Sequence, residues 1–237
     1  MIFTQSLGII KGDVVCIVGA GGKSSLMIHV ANELAANGLK VLVTTTTKMG
    51  KRQINSLMNV DTSGQFFKGE TIKPGVYACA KLGDEKAIAP DIDELEGNIA
   101  RFDVTLIEAD GSACKPLKGW HENEPVVPEF TTKTIGVIDV SVIGKTLTED
   151  IVHRFDLFTQ ITGRNLGDEF RLSDVISIIN SKNGLFQNST NQKKIIYCSK
   201  AETDKAAQHV EELNKLIPDE IKLTAGSVFN KTVTEFF

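Results

Sequence analysis

The stretch Val14-Val15-Cys16-Ile17-Val18-Gly19-Ala20-Gly21-Gly22-Lys23-Ser24-Ser25 constrains this chain more than any other, because an unbroken β-prone apolar run meets three glycines and then a helix start. A buried strand that turns sharply into a helix at its carboxyl end is the opening unit of a parallel α/β sheet. The glycines accept positive φ, so successive N–H groups can converge on one point with no Cβ in the way. Lys23 adds a positive charge there. Ser24 and Ser25 fall in the first turn of a helix expected over 24–37, where the helix dipole favours anions. Gly19, Ala20, Gly21, Gly22, Lys23, Ser24 and Ser25 are thus expected to cradle a polyphosphate, with the Ser24 hydroxyl placed to reach its Mg²⁺. The plainer alternative is a glycine-rich strand-to-helix turn carrying an exposed lysine.

The common loop G-x-x-x-x-G-K-[ST] requires glycine at position 17, where this chain has Ile17. What stands here is the shorter Gly19-x-x-Gly22-Lys23-Ser24-Ser25. It resembles the G-x-N-G-K-T-T loop of the Mur-ligase branch of P-loop ATPases.

Further strands are expected at 39–43, 76–80, 102–107, 134–140, 194–198 and 221–225, followed by a short tail. Helices are expected at 91–101, at 148–158 with Thr148 as cap and His153 and Arg154 aboard, at 173–180 with Ser173 as cap, and at 206–216. Strands and helices in this alternation predict an α/β fold: a doubly wound, mainly parallel sheet of P-loop NTPase type with helices on both faces. With 237 residues, 41% of them hydrophobic, the chain is read as one domain, 1–237. An insertion is expected around 50–90, carrying the 76–80 strand in a hairpin or extra layer.

Ligands of open α/β sheets gather at the carboxyl ends of the strands. At one such end stand Thr44 to Thr47 and Lys48, and Thr45 and Thr46 are read as sensing Mg²⁺ or the terminal phosphate. A β-prone threonine run that merely continues the strand is the alternative. At another end, Val104 to Ile107 leads into Glu108-Ala109-Asp110-Gly111, the form of acid-ended strand that holds catalytic Mg²⁺. If the strand stays extended, Glu108 and Asp110 face the same cleft. Lys23, Glu108 and Asp110 are therefore the expected catalytic residues, and Ser24 and Asp110 the expected metal contacts. A solvated acidic turn is the competing reading.

Between 112 and 125 lies a long loop in which Lys115 and Lys118 are read as neutralising a second anion, and Trp120 as anchoring the loop or stacking on a ring. Ser199-Lys200-Ala201-Glu202 resembles the N-K-x-D base-reading loop of GTPases with its asparagine and aspartate replaced. Lys200 would cover a base and Glu202 would accept from ring N–H groups. A helix start after a strand collects the same residue types, so that alternative stays open.

A net charge of -4, a pI near 5.6 and no basic block argue against a nucleic-acid partner. No apolar run approaches the ~18 residues of a membrane span, and residues 1–11 lack signal-peptide features, so no membrane partner and a cytoplasmic location are expected. The four cysteines have no C-x-x-C spacing, which argues against zinc; Cys114 alone lies in a polar loop.

Val18 to Ser25, Thr44 to Met49 and Glu108 to Gly111, with Glu124-Pro125 downstream, are together similar to the YqeC family, described as accessory proteins of selenium-dependent molybdenum hydroxylases. The resemblance implies a cytoplasmic P-loop protein that uses ATP or GTP with Mg²⁺. Its implied partners are a nucleotide and a molybdenum hydroxylase, the pterin cofactor of that enzyme, or other maturation proteins. Two rival readings stay open: a Mur-ligase-like ligase or kinase acting on a small molecule at the 112–125 loop, and a non-catalytic carrier of a pterin dinucleotide.

Overall fold

A computed structural model describes residues 2–55, 57, 59–189 and 192–236, and within them nine strands form one sheet. The strands are β1 (Val14–Gly19), β2 (Lys40–Thr45), β3 (Asn59–Asp61), β4 (Gly75–Cys79), β5 (Val104–Glu108), β6 (Lys133–Asp139), β7 (Lys193–Ser199), β8 (Lys222–Ser227) and β9 (Thr232–Phe236). Their order is β9-β8-β7-β6-β1-β5-β2-β4-β3, and only the β8–β9 pair is antiparallel. The main helices are α1 (Lys23–Ala36), α2 (Ile92–Asn98), α3 (Phe155–Thr162), α4 (Leu172–Asn180) and α5 (Asp204–Asn214).

β1 is buried along its whole length because both faces of the sheet are covered, which is why its sequence is an apolar run and not an alternation. On one face, α1 presses Leu26, Met27, Val30 and Leu34, spaced at helical repeat, onto Val15, Ile17, Val41 and Val43. On the other, Leu95 of α2, Phe158 of α3, Val175 of α4 and Val210 of α5 share a core with Cys16, Val18 and Leu42. The fold is therefore α/β, with helices on both faces. From β1 the chain crosses to β2 on one side, while β6 lies on the other. The carboxyl end of β1 is thus a switch point, and the glycine turn opens into the crevice that such a point creates.

Four local expectations are corrected. The 76–80 strand is no extra layer: β4 lies in the main sheet, parallel to β2. What stands apart is a small antiparallel sheet of Lys48–Gly50, Lys86–Ile88 and Lys81–Leu82. Ser56 and Met58 of that insertion lie outside the described residues. No helix starts at Thr148; Val152–His153 pairs in parallel with Leu117–Lys118, Arg154 turns left-handed at φ 57, and α3 begins at Phe155. That pairing satisfies backbone groups of the 112–125 loop, a long-range demand that outweighs local capping preference. The N-cap positions of α4 and α5 are Arg171, whose N–H donates to Asp174, and Thr203, whose hydroxyl accepts from Ala206 N–H, so Ser173 is not the cap and α5 starts before Ala206. The expected tail forms the edge strand β9, which covers β8. Among the described residues no helix is long and apolar enough to cross a membrane.

Candidate functional site

The turn after β1 is fitted closely to β6. A Cβ on Gly19 (φ 97) would lie 2.3 Å from the Val137 carbonyl oxygen, and one on Gly21 (φ 79) would lie 2.4 Å from Asp139 Cβ. Glycine is the residue that fits both places. Ala20 N–H donates to the Val137 carbonyl at 3.1 Å, and Ser199 Oγ donates to the Gly21 carbonyl at 2.7 Å. These bonds fix the turn through the Ala20 N–H and the Gly21 carbonyl. Among the described residues, no protein acceptor meets the N–H groups of Gly21, Gly22, Lys23, Ser24 or Ser25. The start of α1 is consequently a concave set of free donors at the positive end of a 14-residue helix.

Beneath the turn lies a buried ionic network. Lys23 is only 4% exposed, against its reading as an exposed charge: its Nζ donates to the Gly19 carbonyl at 2.6 Å and sits 3.3 Å from Asp110 Oδ1. Asp110 is fully buried, and its Oδ2 accepts from Gly19 N (3.0 Å), Lys118 Nζ (2.9 Å) and Trp120 Nε1 (2.9 Å). Lys118 also reaches Glu124, whose carboxylate is gripped bidentately by Arg154. Burial alone would raise the Asp110 carboxyl, but Lys23, Lys118 and the Gly19 N–H hold it below its ordinary value. The same contest, burial against Arg154 and Lys118, leaves Glu124 at about 2.

Two expected roles change as a result. β5 ends at Glu108, so the two-residue alternation stops there, and Asp110 turns into the protein instead of sharing the cleft with Glu108. Asp110 holds the loop and Lys23 and does not line the cleft. Lys118, 1% exposed and ion-paired twice, is not available to neutralise a second ligand. Trp120 is the anchor of its loop. Glu124 enters the sequence reading only through the family resemblance and Arg154 only as a helix residue, and neither is tied there to residue 23, since nothing local links them.

Above the turn opens a cleft of about 510 Å³. Lys23, Lys48, Lys86, Lys115, Lys145 and Lys200 line it, opposed by only Glu108 and Asp139. Asp139 is already paired with Lys200, and its other oxygen accepts from Ser141. In a chain of net charge -4, this is a local concentration of cations suited to a polyanion. Ser24 Oγ donates to Glu108 Oε2 at 2.7 Å and accepts from Gln53 Nε2 at 2.7 Å. Asp139 is signalled by its place at the end of an apolar strand. Gln53 lies in a weakly patterned stretch that gives no signal.

Thr45 and Thr46 do not face the cleft. Thr45 Oγ1 donates to the Glu108 carbonyl (2.8 Å) and Thr46 Oγ1 to the Val126 carbonyl (2.7 Å), so their hydroxyls bind β2 to its neighbours. Of the base-reading pair, Lys200 lines the cleft from a left-handed backbone (φ 58), whereas Glu202 is exposed, outside the lining, one residue before the Thr203 cap. Cys114 is exposed and lines the cleft; the other cysteines are buried. Among the described residues no group of three or more His, Cys, Asp or Glu is placed to hold a metal unaided.

Glu108 is the least comfortable charge in the site. Burial raises its pKa, with Lys23 and Ser24 pulling the other way, so ionising it opposes folding. The sign follows: the cost is absent below the ordinary value of 4.5 and grows as pH rises above it. Glu108→Gln is therefore expected to melt at the same or a higher temperature than wild type at pH 8. A drop of several degrees would mean that the carboxylate is structural.

A family model described as YqeC protein matches residues 15–156. The uncharacterized protein YqeC of Escherichia coli (strain K12) is 31% identical over an alignment of 180 positions that covers 74% of this chain and 70% of that relative. The family-model match takes in the glycine turn, Glu108, the whole Asp110 network and Arg154, and ends before Lys200.

Proposed function

This chain belongs to the YqeC family, and on that footing we propose that it binds a nucleoside triphosphate with Mg²⁺ and hydrolyses it as an accessory ATPase or GTPase. The hydrolysis would serve maturation of a molybdenum hydroxylase or its pterin cofactor. One observation carries the nucleotide reading: free N–H donors of a glycine turn, at a helix start, open into a cleft beside Lys23, with Lys145 and Lys200 further along it. The hydroxylase part rests on the family resemblance alone.

The residues fit such a ligand. The N–H groups of Gly21 to Ser25 would take the phosphate oxygens, and Lys23, beside the Gly19 carbonyl, would exchange that contact for a phosphate. The nucleoside would extend along the β6 and β7 ends, past Lys145 and Lys200. Mg²⁺ needs only one or two direct protein ligands, so Ser24, backed by Glu108, suffices for it; when bound, it would neutralise charge on the transferred phosphate. Glu108, held in place by Ser24, would orient or deprotonate the attacking water, a role its raised pKa favours. Asp110 and Lys118 would keep Lys23 and Gly19 in register without touching substrate.

The test is steady-state phosphate release from ATP and GTP with Mg²⁺. Wild type is expected to turn over, and Glu108→Gln to retain nucleotide binding while losing about a hundredfold in rate, the usual weight of a general base. A Glu108→Gln protein that hydrolyses at the wild-type rate would remove Glu108 from the chemistry.

A further inference from the structure

The cleft has cations on both sides of the glycine turn, and those on the β2 side are arranged as a separate subsite. Lys48–Gly50 pairs antiparallel with Lys86–Ile88, with Lys48 opposite Ile88 and Gly50 opposite Lys86. Directly opposed residues share a face, so Lys48 and Lys86 lie diagonally on one face of this strand pair. Met49 and Ala87, on the opposite face, are 1% and 2% exposed and root the strand pair in the core.

The strand pair is also held relative to the glycine turn. Gly50 N–H donates to Gln53 Oε1 at 3.0 Å, and Gln53 Nε2 donates to Ser24 Oγ at 2.7 Å. Ala89 N–H donates to the Thr47 carbonyl at 3.0 Å, and Lys51 Nζ to the Asp84 carbonyl. Lys115, by contrast, is engaged by the Glu149 and Val152 carbonyls. Lys48 and Lys86 both line the cleft, and neither has a carboxylate partner among the described residues. Two like charges held at diagonal positions repel, and a bound anion removes that repulsion.

We propose that Lys48 and Lys86 form a subsite for a second, phosphate-bearing small molecule, bound beside the terminal phosphate of the nucleotide. This deepens the nucleotide reading and rests on it. The sheet order supports two ligands over one long one: β6 and β7 with Lys145 and Lys200 lie to one side of β1, and β2 with Lys48 lies to the other. A nucleotide whose phosphates sit on the turn and whose base runs toward Lys200 leaves the Lys48–Lys86 end uncovered.

The experiment is calorimetric titration of inorganic phosphate into protein saturated with Mg²⁺ and a non-hydrolysable ATP or GTP analogue. Wild type is expected to bind phosphate with the analogue in place. The Lys48→Gln/Lys86→Gln double variant is expected to lose at least about tenfold in phosphate affinity, as for loss of charged contacts, with analogue affinity changed by less than about threefold at physiological salt. Phosphate that only competes with the analogue, or that binds the double variant as it binds wild type, would overturn the proposal. If the analogue itself does not bind, the nucleotide reading fails separately, and phosphate titrated into the free protein still distinguishes the two forms.

Discussion

Asp110→Ala is expected to lower the free energy of unfolding by about 3–5 kcal/mol, the range measured when one partner of a buried ion pair is removed. The substitution leaves Lys118, 1% exposed, with Glu124 as its one carboxylate partner beside the Gly111 carbonyl, and Lys23 without its carboxylate. It also strips the Gly19 N–H and the Trp120 indole of their acceptor. Against a domain stability of about 5–15 kcal/mol this is a large fraction, so the variant should be poorly populated at 37 °C. Adding Lys118→Met is expected to restore part of the loss in a urea melt, because it removes the stranded charge. The same network implies a pH dependence. Folded-state carboxyls of Asp110 and Glu124 lie below their ordinary values of 3.8 and 4.5, so the stability they supply is complete above those values and is lost as pH falls. A melting temperature indifferent to Asp110→Ala would mean that the network contributes nothing.

The second large effect is on binding. Lys23→Met keeps the aliphatic stem in its slot and removes the charge, so it isolates the ammonium. Nucleoside-triphosphate affinity is expected to fall about tenfold to hundredfold, the weight of a charge-assisted hydrogen bond. Stability should fall less than for Asp110→Ala, since Asp110 keeps Lys118, Trp120 and the Gly19 N–H. Side-by-side calorimetry and melts separate the two consequences. A folded Lys23→Met protein with undiminished affinity would leave Lys23 a purely structural residue.

What could be read from the sequence was what is local. Strand, glycines, lysine and helix follow one another from Val14 to Ala36, and each carries its own signal, so β1, the turn and α1 stand where the residue pattern put them. Glu108 was legible for the same reason, as an acid ending an apolar strand. Contacts between distant segments were not. Lys23, Asp110, Lys118, Glu124 and Arg154 meet only after the sheet is assembled, and a lysine in a polar-looking loop reads as solvated unless its buried carboxylate is known. Thr45 and Thr46 illustrate the same limit. Their hydroxyls looked available until β5 and Val126 supplied carbonyl partners. Lys48 and Lys86 are 38 positions apart and share a face only because the 81–90 segment folds back on 48–50.

The central claim is that the glycine turn is a nucleotide site, and titration of ATP and of GTP, each with Mg²⁺, into the wild-type protein tests it most directly. The account predicts saturable binding of at least one of them at about one per chain, with weaker binding when Mg²⁺ is chelated, because on this reading Ser24, backed by Glu108, would hold the metal. A folded protein that binds neither nucleotide at millimolar concentration, with or without Mg²⁺, would contradict it.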